Sequence, residues 1–484
     1  MERKTYESYF AGGQFVRATS GRFAEVVAPR SEDVIGTVAL ASTADVDAAV
    51  AAARKAFDEG PWPHMTPVER AAALRRLADG LEARAAELTE LAVEEQGYPI
   101  WFAQTYMHEN PVANFRTYAD LAESYEFEEL RNGAQRSLVV REPVGVVAAI
   151  PPFNGPLTLG SQKAAPALAA GCTVILKAPN QDPLSCYLLA EVAEDAGLPP
   201  GVLNVLIADV PESEHLVSHP DVDKVSFTGS TAVGRRIGEL CGRDIRRMTL
   251  ELGGKSAAII LEDADLEKVV PGIVGCSVAM LMGEVCTSQT RILAPRARYD
   301  EIVDGLAEAI AALPVGDPTD PANVIGPLIT SAHRDRVERY IAIGREEGAT
   351  VKVGGGRPAG LDRGWYVEPT LFADATNDMR ISREEIFGPV VSVIPHDGLD
   401  DAIAIANDSP FGLSGTVWTE DEDTALEVAR RVRTGTFSIN TYTVDANTPF
   451  GGFKQSGIGR EMAREGLDAY IEFKSIALTG PALT

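Results

Sequence analysis

Three residues of types used in acyl chemistry lie in the middle of the sequence. Cys286 follows a glycine in Gly283-Glu284-Val285-Cys286, and a thiolate at such a turn is a credible nucleophile. Glu251 stands between two leucines, where burial would raise its pKa and suit it to general-base work. Asn154 follows a predicted strand, and its amide can donate to a developing oxyanion. Each also has an ordinary reading: an inert buried cysteine, a solvated glutamate and a turn-closing asparagine.

Two further features could hold an anionic ligand. The run Phe227-Thr228-Gly229-Ser230-Thr231-Ala232-Val233-Gly234 predicts a strand end, a glycine turn and a helix start, where free N–H groups favour an anion. It matches neither the Rossmann fingerprint nor a P-loop, so an ordinary strand–turn–helix connection is equally compatible. Lys177, at the end of another predicted strand, can reach a ribose or a phosphate, or simply face solvent.

Alternating strands and helices position these residues. The sequence predicts strands at 144–150, 172–176, 202–206 and 224–227, with helices at about 156–170, up to 197 and after 229. This alternation is typical of a parallel sheet whose ligands lie beyond the carboxyl ends of the strands. A second alternation from about 256 to 453 predicts another α/β domain.

The N-terminal third is rich in helix signals and reads as scaffold. The capping box Thr66-Pro67-Val68-Glu69 opens a long helical pattern that ends at Gly97, and another helix is predicted at about 44–57.

Composition narrows the function classes. A chain of 484 residues is expected to form two or more domains, and a formal charge of −26 argues against nucleic acid or an anionic membrane as partner. No apolar h-region and no apolar run of spanning length is visible. The five cysteines contain no C-x-x-C pair, so neither a disulfide framework nor a metal site is expected. These features favour a cytoplasmic protein.

In their order, these segments resemble the aldehyde dehydrogenase superfamily over nearly the whole chain. The most specific are LELGGKS (250–256) and EEIFGPV (384–390), joined by the Cys286 segment and by PFGGFKQSG (449–457). The resemblance implies an α/β fold with two Rossmann-type α/β domains and a small β-flap for oligomerisation. It places a cofactor-binding domain at 1–123 and 144–252, a catalytic domain at 253–460, and the flap with the C-terminal strand at 124–143 and 461–484.

The resemblance also implies a role for each candidate residue. Cys286 would attack an aldehyde, the Asn154 amide and the Cys286 N–H would hold the oxyanion, and Glu251 would activate water against the thioester. Phe450 would line the substrate mouth. The expected cofactor is NAD or NADP, the partner a small-molecule aldehyde, and the assembly a homodimer or homotetramer. The implied cofactor-binding residues are Phe153, Lys177, Asn180, Gly229, Ser230, Leu252, Glu385 and Phe387.

The sequence departs from the family pattern at three places. Many NAD-preferring members carry Glu where this chain has Asn180; because a carboxylate there repels a 2′-phosphate, we expect NADP to be tolerated or preferred. Glu284 replaces a common Gln and is expected to face outward, since an inward carboxylate would raise the pKa of Cys286. Gly155, Leu159 and Gln162 stand where relatives often carry aromatics, which predicts a wider or wetter mouth. We therefore expect a bulky or oxygenated aldehyde, of aromatic or terpenoid type, rather than acetaldehyde.

Other functions remain open at this stage. A CoA-acylating semialdehyde dehydrogenase would share the fold and the cysteine. Such relatives tend to lack a water-activating glutamate, so the presence of Glu251 argues for hydrolysis. A cysteine-dependent esterase or hydrolase would need a histidine partner, and the six histidines are all expected at the surface. A binding protein that has lost its chemistry is disfavoured because Cys286, Glu251 and Asn154 are all present.

Overall fold

Two large sheets organise the chain, and the computed structural model describes residues 3–133 and 135–479. The strands are β1 (Lys4–Tyr6), β2 (Ser8–Ala11), β3 (Gln14–Arg17), β4 (Phe23–Val27), β5 (Val34–Ala39), β6 (Glu128–Asn132), β7 (Arg136–Pro143), β8 (Val146–Ile150), β9 (Thr173–Ala178), β10 (Leu203–Ile207), β11 (Lys224–Thr228), β12 (Arg247–Glu251), β13 (Ala257–Ile260), β14 (Arg291–Pro295), β15 (Thr350–Val353), β16 (Thr370–Ala373), β17 (Val390–His396), β18 (Gly415–Trp418), β19 (Ser438–Ile439), β20 (Gly457–Ile458) and β21 (Ile471–Ala477).

Helices cover both large sheets. They are α1 (Thr43–Asp58), α2 (Pro67–Ala83), α3 (Ala85–Gln96), α4 (Ile100–Gln104), α5 (Asn110–Ser124), α6 (Pro156–Ala170), α7 (Leu184–Asp195), α8 (Val210–Ser218), α9 (Thr231–Arg243), α10 (Leu266–Gly275), α11 (Tyr299–Ala311), α12 (Ser331–Glu346), α13 (Arg380–Arg383), α14 (Leu399–Asn407), α15 (Glu422–Arg431) and α16 (Ala463–Asp468). A π-helical turn (Thr105–Glu109) joins α4 to α5, and short 3₁₀ turns lie at Trp62–His64, Met280–Gly283, Arg296–Arg298 and Lys454–Ser456.

The first sheet runs β20-β12-β11-β8-β9-β10-β2-β3 within the described residues. Its five central strands, β12 to β10, are parallel, and antiparallel β20 and β2 flank them. Every residue of β8 and β10 is buried, because helices cover both faces. The carboxyl ends of β8, β9, β11 and β12 therefore open onto one edge, where Asn154, Lys177, Gly229 and Glu251 all lie.

The second sheet runs β15-β16-β17-β14-β13-β18-β19 in the described part of the chain, with only the β15–β16 pairing antiparallel. The loop that carries Cys286 connects α10 to β14, at the carboxyl edge of the first sheet. Because β20 comes from the end of the second α/β unit and pairs with β12, the chain crosses back to the first sheet. The exact domain boundaries remain a prediction.

Most predicted elements are confirmed. The structure has the predicted α/β class, helix α6 spans the predicted 156–170, and the predicted strands agree within two residues. Thr66 and Glu69 form the capping box, and Gly97 ends α3 with φ +72°. The prediction of one continuous helix before Gly97 is wrong. The chain kinks at Arg84, which divides this segment into α2 and α3.

Two three-stranded sheets complete the described fold, β1-β5-β4 and the small sheet β21-β7-β6. Phe473, Leu130 and Ile476 are exposed on the small sheet, with Phe473 at 61%. This sheet falls in the predicted flap, whose last residues, 480–484, and position 134 lie outside the described residues. Among the described helices, none combines the length and the apolar character needed to cross a membrane.

Candidate active site

The loop before Cys286 has an unusual backbone. Leu281 and Met282 adopt positive φ angles of +47° and +52°, and Gly283 follows at +71°. Leu281 and Met282 are buried, so packing compensates for this sparsely populated conformation. A Cβ at Gly283 would lie 2.3 Å from the carbonyl oxygen of Gly388, and one at Gly254 would lie 2.2 Å from that of Cys286. The two glycines therefore let the cysteine loop sit directly against its neighbours.

Asn154 is tied to the same loop. Its side chain is buried, and Nδ2 donates to the carbonyl oxygen of Glu284 at 2.8 Å. The amide has a second N–H, which this bond leaves for another acceptor. The predicted meeting of Asn154 with the cysteine segment is thus present in the structure.

Glu251 ends β12 as a buried carboxylate, with 2% of the residue exposed. Among the described residues, no side chain forms a hydrogen bond with either of its oxygens, and the backbone N–H of Gly452 is the only hydrogen-bond donor that acts on its pKa. Burial raises the pKa of Glu251 well above its usual range, and the nearby Glu461 adds to this effect. A Cβ at Gly451 would lie 2.6 Å from Glu251 Oε1, so the segment beside Phe450 closes over the carboxylate.

A buried ion pair supports this region. Lys163 Nζ donates to Glu461 Oε1 and to Thr228 Oγ1, each at 2.6 Å, and Ser226 also donates to Glu461. Lys163 opposes the rise in the pKa of Glu251. The ion pair of Lys163 with Glu461 was not predicted from the sequence. The available signal was a lysine within the otherwise small and apolar stretch of α6, where a buried charge requires a partner.

Cys286 is held as a thiol in this arrangement. Burial, with smaller contributions from the carboxylates of Glu385 and Glu251, raises its pKa to about 12, and the backbone N–H groups of Cys286 and Thr287 oppose this rise. Glu385 lies close because its Oε1 accepts from the Gly254 N–H at 3.1 Å. Burial also raises the pKa of Glu385, to about 7. A base must therefore take the thiol proton before Cys286 can attack.

The groups expected to hold the cofactor phosphates meet at the start of α9. Ser230 caps this helix by accepting from the Val233 N–H at 3.4 Å. A Cβ at Gly229 would lie 2.4 Å from the Phe227 ring, so only glycine fits there. Leu252 is buried and packs against Gly234 on the same helix. This helix end, with its unfilled backbone donors, fits an anionic dinucleotide.

Lys177 and Asn180 lie two strands further along the edge, at the end of β9. Lys177 Nζ donates to Asn180 Oδ1 at 3.3 Å, and burial lowers the pKa of Lys177 to about 8. The Lys177 ammonium and the Asn180 amide supply donors that ribose hydroxyls can use, and Glu385, beside Gly254, supplies a carboxylate acceptor elsewhere in the site.

Phe153 and Phe387 form a ring cluster that includes an unpredicted histidine. The Phe153 ring centroid lies 5.6 Å from that of Phe387 and 5.7 Å from His333. His333 Nε2 bonds to the Phe387 carbonyl oxygen at 2.5 Å, and Phe387 itself has φ +64°. Burial lowers the pKa of His333 to about 4, so the imidazole is neutral near pH 7. No sequence motif around His333 indicated this role.

The predicted outward orientation of Glu284 is wrong. The residue is 1% exposed; its Oε1 accepts from the Ile329 N–H at 3.2 Å and lies 3.4 Å from His333 Nε2. Burial raises its pKa well above the usual range. The error arose because sequence alone did not show that positive φ angles at 281–283 turn this side chain inward.

The space beside Gly155 is filled by other side chains, so the small residue at this position does not by itself widen the mouth of the substrate site. A Cβ at Gly155 would lie 2.7 Å from the Tyr106 hydroxyl and 3.0 Å from Leu159 Cγ. Tyr106 belongs to the π-helical turn and packs against Phe102 and Tyr98, with ring centroids 5.1 Å and 6.0 Å away. The aromatic wall is therefore supplied by a different element, which residues 155, 159 and 162 did not reveal.

The histidines correct one further expectation. His108 and His396 are buried, so the expectation that all six lie at the surface is wrong. Asp47, His215 and His219 meet in one cluster, although the sequence suggested no metal group. In the structure both imidazoles contact the Asp47 carboxylate, with His215 Nε2 at 2.5 Å and His219 Nε2 at 3.4 Å.

Comparisons with known proteins agree with this geometry. The model of the aldehyde dehydrogenase family matches residues 15–476. A geranial dehydrogenase from Castellaniella defragrans is 49% identical, over 98% of this chain and 99% of its own length. The crystal structure of a Mycobacterium tuberculosis aldehyde dehydrogenase complexed with NAD⁺ is 48% identical and superimposes with a TM-score of 0.97, covering 99% of both chains. A mutant of aldehyde dehydrogenase C from Pseudomonas syringae, complexed with NAD⁺ and octanal, is 38% identical with a TM-score of 0.95, covering 99% of this chain and 98% of that one.

Proposed function

This chain belongs to the aldehyde dehydrogenase family and oxidises aldehydes to carboxylic acids with NAD(P), and we propose that it does so through Cys286, Asn154 and Glu251. The observation that carries the proposal is Glu251: a buried carboxylate that has no side-chain hydrogen-bond partner among the described residues and lies near the Cys286 thiol. Such a group needs water or substrate to satisfy it.

The first step forms a bond between Cys286 Sγ and the aldehyde carbon, and the thiol proton passes to solvent water, which leaves Glu251 unprotonated for the later hydrolysis. The carbonyl oxygen becomes an oxyanion, which accepts hydrogen bonds from the free N–H of the Asn154 amide and from the Cys286 backbone. An oxyanion donor of this kind contributes about 3–4 kcal/mol in comparable enzymes. The bond from Asn154 to the Glu284 carbonyl fixes the donor beside the nucleophile.

Oxidation and hydrolysis complete the cycle. Bound NAD(P) would accept a hydride from the former aldehyde carbon. Loss of this hydride converts the adduct on Cys286 into a thioester. Glu251 then takes a proton from water, whose oxygen bonds to the acyl carbon as the carbon–sulfur bond breaks. Burial suits Glu251 to this step, because its raised pKa makes its carboxylate a stronger base than an exposed one. Lys177, Ser230, Glu385 and Phe387 would hold the cofactor.

Hydrolysis is favoured over transfer to CoA or a cofactor-independent esterase activity. The first alternative does not need a buried base facing the thioester, and Glu251 is such a base. The second requires a histidine beside the thiol, yet His333 contacts Phe387 and Glu284 instead.

The substrate is a hydrophobic aldehyde with a long or branched chain, of terpenoid or aromatic type. The aromatic wall of Tyr98, Phe102 and Tyr106 supports an apolar substrate tunnel. Two similar proteins point the same way: one is named geranial dehydrogenase, and the other was crystallised with octanal. Acetaldehyde would leave most of such a wall uncovered.

The assembly is a homodimer or homotetramer in the cytoplasm. Exposed Leu130 and Ile476, which both lie opposite Leu138 on one face of the small sheet, and Phe473 on the other face support self-association, because large apolar groups at the surface favour burial. The five free cysteines of the described chain fit a reducing compartment.

The test combines turnover with trapping of the acyl-enzyme. NAD and NADP reduction is followed with geranial-type, aromatic and short aliphatic aldehydes for wild type, Cys286→Ala and Glu251→Gln. We expect no turnover in Cys286→Ala, and in Glu251→Gln an acyl adduct on Cys286 visible by intact mass. Release of acyl-CoA rather than acid when CoA is added would establish the CoA-acylating alternative. Best turnover with acetaldehyde would overturn the substrate proposal.

A further inference from the structure

The carboxylate of Asp209 lies at the predicted ribose site. It follows a different strand from the one that Asn180 follows. Asp209 follows β10, next to β9, which carries Lys177 near its carboxyl end. Asn180 Nδ2 donates to Asp209 Oδ1 at 3.1 Å, while Asn180 Oδ1 accepts from Lys177 at 3.3 Å. The neutral amide therefore links an ammonium on one side to a carboxylate on the other.

We propose that Asp209 is the residue that selects NAD over NADP in this chain. The inference rests on the proposed cofactor role of Lys177 and Asn180. In dinucleotide sites of this kind a carboxylate accepts from the ribose 2′-hydroxyl, whereas NADP sites place an arginine near the 2′-phosphate. Asn180 supplies no charge, but Asp209 brings a negative charge within hydrogen-bonding distance of it.

The surroundings of Asp209 explain why one residue decides the outcome. Arg22 forms an ion pair with Asp209 and donates to Glu212 Oε1 at 2.7 Å. While both acids hold this guanidinium, it is not offered to a 2′-phosphate. Loss of the Asp209 charge would remove a repulsive group and release one arm of Arg22 in the same change.

This inference reverses the expectation drawn from residue 180 alone. The absence of a carboxylate at position 180 favoured NADP, but Asp209, 29 positions later, supplies a carboxylate at the same place. The parallel pairing of β9 with β10 brings the two loops together, as Lys177 opposite Leu206 shows. Selectivity for NAD is thus compatible with Asn180.

The test measures nucleotide binding without turnover. Isothermal titration gives the Kd of 5′-AMP and of adenosine 2′,5′-bisphosphate for wild type, Asp209→Asn and Asp209→Glu. Asp209→Asn keeps the shape and the acceptor for Asn180. We expect wild type to favour 5′-AMP and Asp209→Asn to shift the Kd ratio toward the bisphosphate by at least about tenfold, whereas Asp209→Glu stays near wild type. The NADP-to-NAD ratio of kcat/KM should shift in the same direction.

Asp195→Asn is the matched control, since it removes one exposed carboxylate at the end of α7, away from the carboxyl edge of the sheet. An equal shift of the Kd ratio in this control would mean that the effect comes only from the change in net charge, and it would overturn the proposal. So would an unchanged ratio in Asp209→Asn, or a wild type that binds the bisphosphate as tightly as 5′-AMP. Failure of both nucleotides to bind wild type would instead overturn the proposed cofactor site, and the role of Asp209 with it.

Discussion

Replacing Glu284 by Gln should stabilise the protein increasingly as pH rises while leaving catalysis nearly intact. Glu284 is buried beside the cysteine loop, and its pKa is raised well above the usual range by loss of solvent. This shift favours the protonated carboxylic acid, which has almost the shape of a Gln amide. Either side chain can accept from the Ile329 N–H that Glu284 Oε1 binds now.

The magnitude follows from proton linkage. Below about pH 4.5 the folded and unfolded states both hold the proton, so Glu284 costs nothing. Above that pH the unfolded state releases a proton that the folded state keeps, and stability falls by about 1.4 kcal/mol per pH unit until the folded pKa is reached. Between pH 5.5 and 7.5 the loss amounts to at most about 2.7 kcal/mol, and Glu284→Gln should escape it.

The assay is thermal unfolding at a fixed scan rate and fixed protein concentration across this pH range. The Tm difference between Glu284→Gln and wild type should grow with pH, and kcat/KM should stay within about threefold, because no charge near Cys286 is lost. Glu346→Gln, an exposed change on α12, is the control and should give a constant difference. A difference that does not vary with pH, or a large loss of activity, would refute the assignment of Glu284 as a buried neutral acid.

Three further predictions concern the thiol, the tunnel and the flap. Glu385→Gln removes a carboxylate near Cys286, so the thiol pKa should fall and iodoacetamide should alkylate the cofactor-free variant several-fold faster at pH 8, although kcat/KM with NAD declines. Tyr106→Ala should open the space beside Gly155 and shift kcat/KM toward bulkier aldehydes by about tenfold, with Tyr106→Phe as the conservative control; equal profiles for both would contradict the geometry. Phe473→Asp should reduce the assembly size measured by light scattering, and an unchanged mass would place the interface elsewhere.

The sequence predicted what depends on local pattern and strand order. Apolar runs ending in glycine or proline located the strands, and parallel topology brings Asn154, Lys177, Gly229 and Glu251 to one edge. It could not predict partners that come from distant segments. Tyr106 fills the space beside Gly155 from a turn about fifty residues earlier, and His333 reaches Glu284 from a helix about fifty residues later in the same α/β unit.

Desolvation is the common cause behind the electrostatics of the site. Glu251, Glu284 and Glu385 all have raised pKa values with burial as the largest cause, and the same effect holds Cys286 as a thiol. A resting site built this way suppresses reaction of the cysteine with stray electrophiles. Because Glu385 is the largest carboxylate influence on the thiol, its movement from the Gly254 N–H to a ribose hydroxyl would lower the pKa of Cys286. Cofactor binding and activation of the nucleophile would then be one coupled event, and the alkylation rate of Glu385→Gln measures that coupling directly.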